Sequence, residues 1–367
     1  MSKLSFVEYL WIDEAGPMQQ IRSKARALSL PDCPVVTDFP LWTFDRSKTE
    51  QLDDSDSDCF LNPIRVYRDP LRGLNDYIVL CEVLEEGKKI HLSNIRARIR
   101  KTLDCLERII EPQLGFEQEY KLISDCYPFR FSGVEAFLLQ RVYYCGVGSE
   151  SVYGRKVAEA HAKACIDAGI LISEIKTITL GQWVFRIGYR GIDGECCDAL
   201  TIADDVWVAR YLLNRVCERF MVRVFFSSKY LDDSWKGPCI RTKFSTAITR
   251  DPDKGQKALM NIVNALNGKF NVEHDDELIR EARPVVRQGC VYLEGLHSGV
   301  NTDPYHIGYN LIASTIDDVD DADALRSLRE AGLLLTKSHR DTEGSANTLR
   351  DRSGHTIPAK SEGVTRE

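Results

Sequence analysis

The chain has 367 residues, of which 43% are hydrophobic and 28% charged, with a formal net charge of -7. That balance is globular and long enough for two domains, and it argues against nucleic acid as the main partner, because phosphate binding needs a concentrated basic surface. No apolar run approaches membrane-spanning length, so no membrane partner is expected. The twelve cysteines include no CxxC pair and only Cys196-Cys197 adjacent, which signals neither a zinc site nor a disulfide framework; buried reduced thiols are expected. Met1 to Glu8 lacks the basic-then-apolar pattern of a secretory signal, and the expected location is the cytoplasm.

Glu8 to Ile12 and Gln20 to Leu28 alternate as two strands joined through Glu14-Ala15-Gly16-Pro17, and Ile64 to Tyr67 and Tyr77 to Val83 read as two more. Between them Thr49 to Cys59 forms an acidic loop suited to solvent or a subunit boundary. From about Ser93 strands alternate with helices. Ile99, Leu103, Leu106 and Ile110 recur at helical spacing, and Arg96, Arg98, Arg100 and Lys101 read as a solvated basic face. Ser151 to Ala168 reads as a helix, Ile170 to Thr179 and Val184 to Ile187 as strands. Asp204 to Met221 reads as an amphipathic helix capped by Asp204 or Asp205, followed by a short buried strand, Val222 to Phe226. Leu259, Ile262, Val263 and Leu266 mark a helix ended at Gly268.

The stretch of greatest chemical interest is Gly115-Phe116-Glu117-Gln118-Glu119-Tyr120. On a strand, Glu117 and Glu119 project from one face, because side chains alternate with period two. Two readings are open: a hard cation such as Mg²⁺ or Mn²⁺ held between the carboxylates, or an edge strand with two solvated glutamates. His161 reads as a packed core histidine, and Cys145 as buried packing with no base beside it.

Many short motifs follow one another in order: Trp11-Ile12-Asp13, Arg22-Ser23-Lys24-Ala25-Arg26, Phe44-Asp45, Tyr67-Arg68-Asp69-Pro70, Gly115 to Tyr120, Tyr153-Gly154-Arg155, Gly181-Gln182-Trp183, Trp207-Val208-Ala209-Arg210 and Phe244-Ser245-Thr246. From about residue 8 to residue 315 this series closely resembles the eukaryotic-type glutamine synthetases. The resemblance implies an α+β protein: an N-terminal β-grasp domain (residues 1–92) and a truncated catalytic α/β domain with a curved sheet (93–316); beyond it, residues 317–367 read from their own composition as an acidic stretch, Asp317 to Asp323, a short helix, Ala324 to Leu335, and a polar, disordered tail, Thr336 to Glu367. It also implies ATP with Mg²⁺ or Mn²⁺ as cofactors, and self or related subunits as partners in a ring. By the same resemblance Asp45 matches the residue that helps deprotonate ammonium, and Tyr153 lines that pocket. Glu117, Glu119 and Glu294 match metal ligands.

The departures from that pattern cluster in one place. Thr177 and Val184 stand where the family carries metal-binding glutamates, and Arg241 where it carries a metal-binding histidine. An arginine is always charged and only donates, which makes it a competitor for the cation. Between Lys269 and Tyr292 no His-Glu-Thr flap is found, and Arg46 and Lys48 add positive charge beside Asp45. Arg241, Lys236, Lys243 and Lys48 are positioned by the resemblance to neutralise Glu117, Glu119 and Glu294 as ion pairs. The expected function is a glutamine synthetase-like protein without full ligase activity; the alternative is an ATP- and metal-dependent carboxylate–amine ligase.

Overall fold

A computed structural model describes residues 2–13, 19–45, 58–73, 75–85, 87, 89–90, 94–124, 143–188, 197–226, 238–269, 283–287, 290–297, 303–316 and 322–330. Residues 1–320 form one compact unit and 321–367 a second. The architecture is mixed α+β.

The first sheet has the order β2-β1-β5-β4-β3, from β1 (Lys3–Asp13), β2 (Gln20–Leu30), β3 (Trp42–Phe44), β4 (Cys59–Arg68) and β5 (Tyr77–Leu84). Alternate residues of β1 (Val7, Tyr9 and Trp11) meet Leu61, Val79, Cys81 and Val83 in its core, as the period of two requires. At the end of the same face, Arg22 of β2, level with Trp11 in the register, pairs with the buried Asp13.

The second sheet is antiparallel throughout and is organised on β6 (Gln113–Ile123). One edge of β6 pairs with β8 (Gln182–Gly188), which continues to β7 (Ile172–Thr179). Its other edge pairs with β10 (Ile240–Ser245) over its first half and with β9 (Arg223–Phe225) over its last residues; β10 leads on to β12 (Cys290–His297) and β11 (Arg283–Arg287). Around these strands lie α1 (Ile95–Ile110), α2 (Arg155–Ala168), α3 (Ala199–Phe220), α4 (Gly255–Lys269) and α5 (Pro304–Ala313). In the second unit, α6 spans Ala322–Glu330.

Several expectations are corrected. The long helix starts earlier than its apolar stripe suggested: Asp198 is the cap, its side chain accepting from Thr201 N at 2.8 Å. Asp204 and Asp205 lie inside α3 and are buried, because each has buried donors. Asp204 accepts from Arg96 Nε at 2.7 Å and Tyr305 OH at 2.6 Å; Asp205 accepts from Tyr67 OH at 2.9 Å and pairs with Arg65 at 3.0 Å. The basic face of α1 is likewise not all solvated. Arg96 is drawn inward between Glu82 and Asp204, and Arg100 pairs with Glu82 at 2.9 Å. Cys145 is exposed, in a turn with φ 52°, and β9 is half-exposed where a buried strand was expected. His161 is fully buried, its Nε2 3.0 Å from the Ala209 carbonyl.

Other expectations fall wholly or partly outside the described residues: the turn 14–17, Arg46, Lys48, most of the acidic loop, Lys236, Cys196, the segment 270–282 and residues 331–367.

Candidate functional site

Strand alternation puts the apolar members of β6, Leu114, Phe116, Tyr120 and Leu122, on the helix-covered side, and Gly115, Glu117, Glu119 and Lys121 on the other. The register then decides what Glu117 and Glu119 face. Beside Glu117 lie Arg186 on β8 and Arg241 on β10; beside Glu119 lies Val184 on β8, which itself pairs with Lys176 on β7. Lys243 of β10 stands between Gly115 and Glu294 of β12.

Those neighbours make a lattice of ion pairs. Lys243 Nζ is 3.5 Å and Lys176 Nζ 3.9 Å from the carboxylate of Glu117. Lys176 also donates to Glu174 at 3.0 Å, and Arg186 lies 3.7 Å from the other oxygen of Glu174. Arg241 Nε is 3.8 Å from Glu119 Oε1, while Glu119 Oε2 accepts from Gln182 Nε2 at 2.9 Å and from the backbone N–H of Cys239 at 3.4 Å. Four cationic side chains thus contact three carboxylates. Lys121 continues the face, donating to the Leu180 carbonyl at 3.0 Å.

Burial pushes the Glu119 carboxyl above its ordinary range, against the pull of Cys239, Arg241 and Gln182. Desolvation would lower Lys176, but its bond to Glu174 and the charge of Glu117 outweigh it, and its pKa is raised. For Glu174 the opposite balance holds: burial raises it, yet Lys176, Arg186 and Lys243 bring it below the usual carboxylate value. Burial brings Lys121 down to about 8.

Thr177 does not face this cluster. Its hydroxyl donates to the Tyr143 carbonyl at 2.8 Å and accepts from the Gly146 N–H at 3.2 Å, which fastens the 143–146 turn to β7. Tyr153 is half-buried and its carbonyl accepts from Trp183 Nε1 at 2.7 Å. The next residue has to be glycine: Gly154 has φ +82°, and a Cβ there would stand 2.4 Å from Leu122 Cδ1. Asp45 is exposed directly after β3, on the first sheet, whereas Glu117 and Glu119 are on the second. Of Glu294 the backbone register alone is described.

Compared with curated proteins, the chain is 36% identical over 341 aligned positions to a glutamine synthetase of Panulirus argus, covering 83% of this chain and 91% of that protein. A chloroplastic glutamine synthetase of Chlamydomonas reinhardtii is 33% identical over 352 positions, covering 84% and 90%. The glutamine synthetase of Mus musculus is 36% identical over 262 positions, covering 71% and 67%. No family model matches the chain. The chain belongs to the glutamine synthetase family. Within that family's frame, a divalent cation is a poor fit to the residues present at Glu117 and Glu119. Each carboxylate already has a cationic neighbour, Val184 has no donor atom, and Thr177 is turned to the 143–146 turn. At an effective dielectric of about 20, one ammonium roughly 4 Å from a divalent ion repels it by about 8 kcal/mol, which cancels the attraction of one carboxylate at the same distance. Among the described residues no group of three or more His, Cys, Asp or Glu side chains converges to hold a metal.

Glu174, Lys176 and Arg186 were not singled out from sequence; their spacing of two along each strand was legible there, but the pairing of β7 and β8 with β6 was not. Glu174 and Lys176 are two apart on one strand, as are Val184 and Arg186 on the next, so both pairs share the Glu119 face.

Proposed function

We propose that this member of the glutamine synthetase family lacks full ATP-dependent glutamate–ammonia ligase activity and acts as a partner or regulatory subunit, in a ring of its own or related subunits. The observation that carries this reading is the ion-pair lattice, in which Lys176, Lys243 and Arg241 occupy the surroundings of Glu117 and Glu119. A carboxylate cluster neutralised by fixed cations keeps the strands in register without a metal. Phosphoryl transfer from ATP relies on metal ions to neutralise charge on the transferring group, and here Lys176, Lys243 and Arg241 compete with any such ion for the two carboxylates. The division into a β-grasp domain (1–92) and a catalytic-type domain (93–316) belongs to the same reading.

The test is calorimetric titration of the full chain with Mn²⁺ and with ATP, alongside an assay of γ-glutamyl hydroxamate formation. The expected result is a folded protein with neither metal-dependent heat nor product. Metal-dependent hydroxamate formation that Glu117→Ala abolishes would overturn the proposal. It would favour instead the carboxylate–amine ligase reading, which draws on Asp45, Tyr153, Glu117, Glu119 and Glu294 still standing at their family positions. Particle imaging tests the assembly separately: a stable monomer contradicts the ring.

A further inference from the structure

No further inference is drawn: the strongest candidate, the cavity of about 390 Å³ between β2, α3 and β9, selects no ligand, because its buried Arg210 is held by Gln118 in the field of Asp303, Arg215 and Glu218 pair with each other, and nothing in the structure shows what covers it.

Discussion

Val184 and Arg241 flank Glu119 and Glu117 directly in the register, and the proposed loss of ligase activity turns on them. Replacing both with the family's ligand types, as Val184→Glu with Arg241→His, removes one cation and adds one carboxylate. Without metal, that variant places a second carboxylate in the 2%-exposed position of Val184 beside Glu119, so it should melt below the parent chain. Mn²⁺ should restore its melting temperature while leaving the parent's unchanged. A thermal melt with and without millimolar Mn²⁺ checks this, and an equal upward shift of both proteins would refute it. The carboxylates themselves were legible in sequence because two glutamates one residue apart on a strand must share a face. Arg241 and Lys243 were legible as counter-ions once the family resemblance was drawn. The roles of Lys176 and Arg186 were not, because their significance depends on β7 and β8 being neighbours of β6, a long-range pairing that local pattern does not carry.

At the scale of elements, periodicity was a good guide wherever one face is apolar and the other solvated. It misled where charge is buried. The apolar stripe of α3 begins at Val206, yet the helix starts at Ala199, because Asp204 and Asp205 in its second turn are satisfied by Arg96, Arg65, Tyr67 and Tyr305 from other elements. Strand β10 escaped notice for a related reason: Lys243 is charged but buried against the carboxylate of Glu117, and Arg241, though exposed, reaches the carboxylate of Glu119. The ends of α3 are therefore set by local chemistry at two positions. Asp198 accepts the Thr201 N–H, and Met221 closes the helix in the left-handed conformation with φ 52° and its side chain exposed. Asp198→Ala should lower stability by about 1 kcal/mol through loss of the cap. Met221→Gly should raise it by up to about 1 kcal/mol, since glycine accepts positive φ without the steric penalty of a Cβ. Urea midpoints of the two variants should shift in opposite directions; a destabilising Met221→Gly would show that the methionine side chain contributes more than its backbone costs.

In the whole molecule, the two sheets are tied by a buried polar network in which Glu82 of the first meets Arg96, and Arg65 and Tyr67 of the first meet Asp205 of α3. Burial raises Asp205 from 3.8 to about 6, the pull of Arg65 notwithstanding. The native state therefore takes up a proton in acid before the unfolded chain does, and this term adds stability as pH falls from about 6 to 3.8, by roughly 3 kcal/mol. His161, packed behind β6 against Phe185 and Tyr120, works the other way. Burial lowers it from 6.5 to about 4, so the unfolded chain is protonated first and stability is lost over nearly the same interval, again by roughly 3 kcal/mol. The two terms largely cancel, and mild acid should leave the parent chain less affected than either group alone would dictate. Asp205→Asn keeps an acceptor for Tyr67 but removes the proton uptake, so its stability should fall relative to the parent between about pH 7 and about pH 4.5. His161→Gln keeps a donor for the Ala209 carbonyl and should gain relative to the parent over the same interval. Urea unfolding of the three proteins at both pH values measures the two differences, and shifts of the same sign would show that burial is not what sets these two groups.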